Sequence, residues 1–345
     1  IVYFICYIKK QKRQYKNTND METNKIKASL YNNQIISQTT NCPSFVSYID
    51  EEIRKLSNAG RNGTAQNYKA AMNSFTKFIR NENFPLSSFT EEIVQKYESW
   101  LRNRYLSRNT ISFYMRQLRS IYNKAVKANL TEQTFPFDNV YTGIDKTKKR
   151  AVDISVITKL IALDLSYSSS LCFARDLFLL SFYMRGMAFV DMAYLKHDNI
   201  KNGVIRYIRH KTDIMLEIKI EQCISDIINR YASKSKLGYL LPIITRTDAE
   251  KAYTQYKNKR SYYNKLLKKI SQLIGPDILL TSYVSRHSWA TIARNMNISL
   301  AVISAGMGHS SETMTRIYLT SLEASTIDQA NSAILNHISS IHKNQ

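Results

Sequence analysis

The chain of 345 residues is long enough for two domains, each with a core of its own. Nine glycines and five prolines are too few for the many turns of a β-sandwich or barrel, which favours a mostly helical protein. Lys and Arg number 49 against 27 Asp and Glu, a net charge of +22, and a field of that size calls for a polyanionic partner, nucleic acid before an anionic membrane surface.

A membrane helix needs about 20 consecutive apolar residues. The longest apolar run, Ile1–Ile8, is far shorter and is broken by tyrosines and a cysteine. Cys6, Cys42, Cys172 and Cys223 show no paired spacing, so neither a disulfide framework nor a metal site is expected. No secretory signal pattern is visible, and a cytoplasmic, nucleoid-associated location is the expectation. Residues 1–20 precede Met21 and are left out of the fold reading.

Residues 1–40 are polar and basic and read as a flexible tail. A helical core domain is expected over 41–133. Phe45, Tyr48, Ile49, Ile53 and Leu56 recur at helical spacing, and "NAGRNG" ends that helix. Thr64 is a plausible N-cap for a second helix, with Tyr68, Met72, Phe75, Phe78 and Ile79 on one face. Ser88 and Glu91 have capping-box spacing before a third, which carries Val94, Tyr97, Trp100 and Leu101. A fourth helix carries Ile111, Met115, Leu118, Ile121, Tyr122 and Ala125. Its other residues include Arg108, Arg116, Arg119, Lys124 and Lys127, either a solvated face or, in so basic a chain, a phosphate-contacting one.

Residues 134–153 lack a helical period, hold Pro136, Gly143 and a basic cluster with Lys149 and Arg150, and read as an interdomain linker. A second domain over 154–335 begins with helices near 155–163 and 171–183. Ile214, Leu216, Ile218 and Ile220 then alternate with Met215, Glu217 and Lys219, which predicts a strand. Val204–Lys211 is its expected hairpin partner, with the turn at Thr212–Asp213. Further helices are expected at about 221–233, 250–273, 282–295 and 299–306, with a last one from about 321 and a tail over 336–345. The fold class is therefore mainly α, with a small β-hairpin in the second domain (α+β).

The chain has no Walker loop, no dinucleotide turn and no HExxH. Acidic residues are unclustered in the second half, so phosphodiester chemistry here would rely on side-chain cations. Guanidinium forks fit the non-bridging oxygens of a phosphoryl-transfer transition state. A nucleophile and an acid for the leaving oxygen complete the requirement.

"TSYVSRHSWAT" (281–291) and "GHSSETMTRIYL" (308–319) follow Arg185 and Lys211 in order, with Tyr318 nine residues after His309. This pattern resembles the tyrosine recombinases, or phage integrase family, and within it the Bacteroidetes-type integrases and invertases. The resemblance spans about 41–335 and implies a helical SAM-like core-binding domain ahead of the catalytic domain. It implies that Tyr318 attacks the scissile phosphate to form a 3′-phosphotyrosine and that Arg286 clamps the non-bridging oxygens. Lys211 would protonate the departing 5′ oxygen, and His309 would hydrogen-bond the phosphate. It also implies no metal, no cofactor, a double-stranded DNA site, and a homotetramer working on two such sites.

Two positions depart from the family pattern. Tyr283 stands where the HxxR box begins with His, and a phenol is a poor acid–base group at neutral pH. The first-arginine box reads "GMAFVD", with Ala188 at the arginine position. Arg185, three residues earlier, is preferred as its replacement because it ends an apolar helix. Arg209 is the alternative, since on a strand it would share a face with Lys211. Asp191 is expected to orient an arginine, and His210 and His287 are expected to be ordinary. A DNA-binding chain of this fold without catalysis, or a relaxing topoisomerase of related chemistry, is the competing reading.

Overall fold

A computed structural model describes residues 43–145 and 151–316. The chain divides, between positions 146 and 147 of the sequence, into two compact units.

The first unit holds α1 (Phe45–Asn58), α2 (Asn62–Ile79), a single 3₁₀ turn at Leu86–Ser88, α3 (Glu91–Asn103) and α4 (Arg108–Lys127). The apolar stripes read from the sequence face one another, and aromatic rings fill the centre. Phe75 is fully buried, with Phe45, Phe89 and Tyr97 ring centroids at 5.1, 5.0 and 5.2 Å. Helix starts differ slightly from expectation. α2 begins two residues before Thr64. The N-cap of α3 is Thr90, whose hydroxyl accepts from Ile93 N, because Ser88 is used in the preceding 3₁₀ turn.

The stretch 134–145 does not behave as a linker. Phe137 and Val140 are buried in the first core. Tyr122 Oη donates to Glu132 O at 2.6 Å, Ser112 Oγ to Gly143 O, and Asn109 Nδ2 to Asp145 O at 3.1 Å. Irregular chain with side chains on the same core belongs to that core, whatever its period. The expected tail 1–40, the basic residues Lys149 and Arg150, and everything beyond 316 lie outside the described residues.

The second unit contains α5 (Ile154–Ala162), α6 (Ser169–Tyr183), α7 (Phe189–Tyr194), α8 (Gln222–Tyr231), α9 (Ala249–Ile274), α10 (Val284–Asn295), α11 (Leu300–Gly306) and α12 (Glu312–Arg316). α6 is apolar nearly all round and is packed by α5, α8, α9 and α10. A sheet of β1 (Ile200–Lys201), β2 (Val204–Ile208) and β3 (Met215–Lys219) lies between α7 and α8 in sequence, antiparallel in the order β1-β2-β3. Ile205 pairs with Ile218 and Tyr207 with Leu216, and these four side chains face the core while their neighbours face out.

The hairpin differs from expectation at its tip. β2 stops at Ile208, three residues early. Arg209 N donates to Ile214 O at 2.9 Å and Asp213 N to Arg209 O at 2.9 Å, while Asp213 takes a left-handed φ of 54°. Arg209 to Ile214 is therefore a closed turn, and strand alternation does not apply within it. β1, α7 and α12 were not expected, because two, six and five residues are too few to show a period.

Phe75→Ala should cost about 3–5 kcal/mol by emptying a ring-filled site. Urea denaturation of the full chain should show earlier unfolding of the first unit and an unmoved transition for the second.

Candidate active site

The site is assembled around Arg286, in the first turn of α10 and only 2% exposed. Its Nη1 donates to Gly186 O at 2.7 Å and its Nη2 to Met307 O at 2.6 Å. The Arg185–Gly186 turn after α6 must come very close for this. Gly186 has φ +73°, and a Cβ there would lie 2.7 Å from Arg286 Cα, so only glycine fits.

Nη2 of Arg286 also stands 3.0 Å from His309 Nε2. A guanidinium has no acceptor atom, so Nε2 must accept. The proton of the neutral ring then sits on Nδ1 and is donated to Thr315 Oγ1 at 2.7 Å, on α12. Burial pushes the His309 pKa down to about 4, with further lowering from Arg286, Arg209 and Lys211. His309 is therefore neutral at physiological pH.

Arg209 approaches from the hairpin. It is 3% exposed, and its Nη1 donates to Gly308 O at 2.6 Å. Thr212 Oγ1 donates to the same carbonyl at 3.1 Å. The Nε of Arg209 is buried with no acceptor among the described residues. Gly308, with φ +63°, has no room for a side chain between Leu216 and Arg209. Lys211 is exposed in the turn two residues on.

The structure thus brings Arg286, His309 and Arg209 together, with Lys211 near enough for its charge to lower the His309 pKa. Arg185 is placed differently. It has a left-handed φ of 57°, its side chain makes no hydrogen bond to a described residue, and its Cδ lies over Gly306, where an added methyl group would meet it at 3.6 Å. Its charge, with those of Arg286 and Arg209, acts on Tyr207, whose hydroxyl burial and Asp191 push up. Tyr283, at the N-cap of α10, is 41% exposed and stacks edge-on with His287 at 5.5 Å. Tyr318 lies outside the described residues.

Asp191 meets no arginine among the described residues. Its Oδ1 accepts from His210 N at 3.0 Å and lies 3.1 Å from His210 Nδ1. With Ala188 in the arginine position, the nearly buried carboxylate instead holds the hairpin tip. His210 accordingly has a definite partner, contrary to expectation, because it sits in a turn and not on a strand. Thr315, Thr212 and this Asp191–His210 pair were not foreseen. The only hint was the glycine pair at 186 and 308, each beside an approaching arginine.

On α4 the basic residues separate into two kinds. Lys124 Nζ is 3.1 Å from Glu52 and 5.1 Å from the Tyr68 ring centroid, inside its own unit. Arg108 lies 3.6 Å from Asp145 and stacks over Tyr141 at 4.2 Å. Arg116 and Arg119 form no ion pair among the described residues, although Arg116 Nε reaches Ser112 O at 3.4 Å. No group of three or more His, Cys, Asp or Glu that could hold a metal occurs among the described residues. Nor is any described helix long and apolar enough to cross a membrane.

Comparisons with known proteins agree with this architecture. Residues 44–140 match the phage integrase SAM-like domain, and residues 155–325 match the phage integrase family. The chain belongs to the phage integrase family, the tyrosine-type site-specific recombinases. Among solved structures, the Tn1549 transposon integrase in complex with transposon right end DNA aligns with a TM-score of 0.61 at 15% identity, over 85% of this chain and 99% of that one. A lambda integrase dimer bound to a COC′ core site gives 0.59 at 15%, over 82% and 100%. A lambda integrase tetramer bound to a Holliday junction gives 0.54 at 15%, over 79% and 76%. A search among curated proteins found no match.

The depressed His309 pKa sets a pH dependence. The neutral ring is favoured on folding, so its contribution is complete above the unfolded value near 6.5 and is lost as pH falls toward 4. Unfolding midpoints of the native chain should fall more steeply between pH 6.5 and 4 than those of His309→Gln, which lacks the titrating ring.

Proposed function

We propose that this chain cuts and rejoins double-stranded DNA at a specific site through a covalent 3′-phosphotyrosine on Tyr318. The observation that carries the reading is the cluster of Arg286, Arg209 and neutral His309 about Gly308. Its surplus positive charge and the orphan Nε of Arg209 suit a phosphodiester.

In this reading the Tyr318 hydroxyl gives its proton to solvent as its oxygen forms a bond to phosphorus. The bond from phosphorus to the 5′ oxygen breaks, and Lys211 supplies the proton that oxygen takes up. Arg286 and Arg209 hold the non-bridging oxygens, which gain charge in the transition state. Arg209 thereby takes the part that Ala188 cannot, and the sequence-based preference for Arg185 gives way to the residue hydrogen-bonded beside His309. The added phosphate anion offsets the guanidinium field and raises the His309 pKa toward neutrality, where proton transfer is useful. Attack by the freed 5′ hydroxyl on the phosphotyrosine reverses these steps and rejoins a strand without a high-energy cofactor.

Arg116 and Arg119 on α4, with Arg108 beside them and Lys149 and Arg150 in the following segment, are proposed to contact phosphates along the duplex. Lys124 is tied to Glu52 and contributes less. Four protomers on two DNA sites is the proposed assembly, acting in the cytoplasm on the nucleoid.

A nicked suicide substrate carrying the correct site tests the reading. The native chain should accumulate a covalent DNA adduct, and Tyr318→Phe should bind DNA and form none. Binding without any adduct from the native chain would establish the competing reading of a non-catalytic DNA-binding protein. Relaxation of supercoiled plasmids lacking a site would establish a topoisomerase.

Arg209→Ala should slow adduct formation about 10²–10³-fold, as loss of a transition-state donor does, with Arg185→Ala affected much less. The reverse order would restore Arg185. Measured by fluorescence anisotropy, DNA affinity should fall steeply with salt through counterion release, with a shallower slope for Arg116→Ala/Arg119→Ala.

A further inference from the structure

Lys211 is exposed and forms no hydrogen bond or ion pair among the described residues. Its place depends on its two neighbours. On one side, Thr212 Oγ1 donates to Gly308 O at 3.1 Å. On the other, His210 is held to Asp191 twice. Its main-chain N donates to Asp191 Oδ1 at 3.0 Å, and its ring Nδ1 lies 3.1 Å from the same oxygen. A carboxylate oxygen accepts, so the ring proton is on Nδ1. The Tyr194 ring lies against the imidazole, with centroids 5.2 Å apart and planes at 35°.

The imidazole contact is not needed to form the turn. The bonds from Arg209 N to Ile214 O and from Asp213 N to Arg209 O close it without any side chain. Arg209 and Thr212 fasten it to Gly308 O. Asp191, 4% exposed, requires a donor, because a buried carboxylate is costly unpaired. The main-chain N at 210 already supplies one, and any residue there except proline would do so. What the ring adds is a second hold on residue 210, whose main chain runs directly into Lys211. A lysine stem is flexible, so the aim of its ammonium depends on where its main chain is fixed.

We propose that His210 is a positioning residue for Lys211. Its imidazole, bonded to Asp191 and packed on Tyr194, fixes the main chain from which the Lys211 ammonium reaches the departing 5′ oxygen. This rests on the reading of Lys211 as the acid for that oxygen. Without the imidazole contact Arg209 and Thr212 keep their bonds to Gly308 O, so the loss falls on proton delivery and not on the phosphate clamp.

The test uses a nicked suicide substrate in two forms, one with the ordinary 5′ oxygen and one with sulfur in that bridging position. As the Tyr318 oxygen bonds to phosphorus, the sulfur departs as a thiolate, which needs no proton because thiols ionise at about pH 8.5. On the oxygen substrate His210→Ala should form adduct about 10- to 100-fold more slowly than the native chain, with DNA affinity unchanged. On the sulfur substrate the two should react alike. Lys211→Ala is the control and should show a larger loss with the same relief. His210→Asn, whose amide nitrogen can stand where Nδ1 does, should recover most of the native rate. A native rate for His210→Ala on the oxygen substrate, an equal loss on both substrates, or His210→Asn as slow as His210→Ala would each overturn the positioning role alone. A native chain that forms no adduct, or a Lys211→Ala loss that sulfur does not relieve, would overturn the reading of the site together with it.

Discussion

The second unit depends on one buried guanidinium. Arg286 cannot lose its charge, and a buried charge is very costly unless hydrogen bonds surround it. Two main-chain carbonyls, Gly186 O and Met307 O, supply them. Those carbonyls come from the turn after α6 and the end of α11, far apart in sequence. Satisfying Arg286 therefore fixes both segments against α10 and forces glycine at 186. His309 follows two residues after Met307, so the same constraint sets its position too.

Arg209 repeats this logic from the hairpin, with Gly308 O as its acceptor. Two guanidiniums and an ammonium then act on one imidazole, and no carboxylate among the described residues offsets them there. Asp191, packed against the hairpin tip, is engaged with His210. The arrangement keeps His309 neutral and leaves an uncompensated positive field. Such a field destabilises the empty site and rewards an anion that fills it. The chain-wide excess of +22 is thus focused at one point as well as spread along the surface.

What could be read beforehand follows from how far each signal reaches. Helices of nine residues or more display a full apolar stripe, and α1 to α4, α6, α9 and α10 were all visible. The alternation of Leu216 and Ile218 marked β3 equally well. α7, α12 and β1 are too short for any period, so Asp191 and Thr315 had no element to place them on. Phe137 and Val140 pack on the first core from irregular chain, which periodicity reads as linker. The motif residues Arg286 and His309 were legible because "TSYVSRHSWAT" and "GHSSETMTRIYL" together resemble the tyrosine recombinase boxes. Arg209 is placed otherwise than a strand would place it for a local reason: strand geometry was assumed to run to Lys211, whereas the ladder ends at Ile208 and the guanidinium lies buried on the Gly308 carbonyl.

A phosphate group requires positive charge at a place and not at a position in the sequence. An arginine at 188 would have to reach that place from the start of α7. Under the proposed function Arg209 supplies that charge from the hairpin, its long side chain extending to the Gly308 carbonyl. Under the proposed function this exchange has a mechanical consequence. The clamp on the phosphate and the acid for the leaving oxygen, Arg209 and Lys211, now ride on one closed turn. The Asp191 carboxylate anchors that turn through His210, between the two. Displacement of the hairpin tip would withdraw both cations together, so the hairpin turns two separate contributions into a single conformational variable.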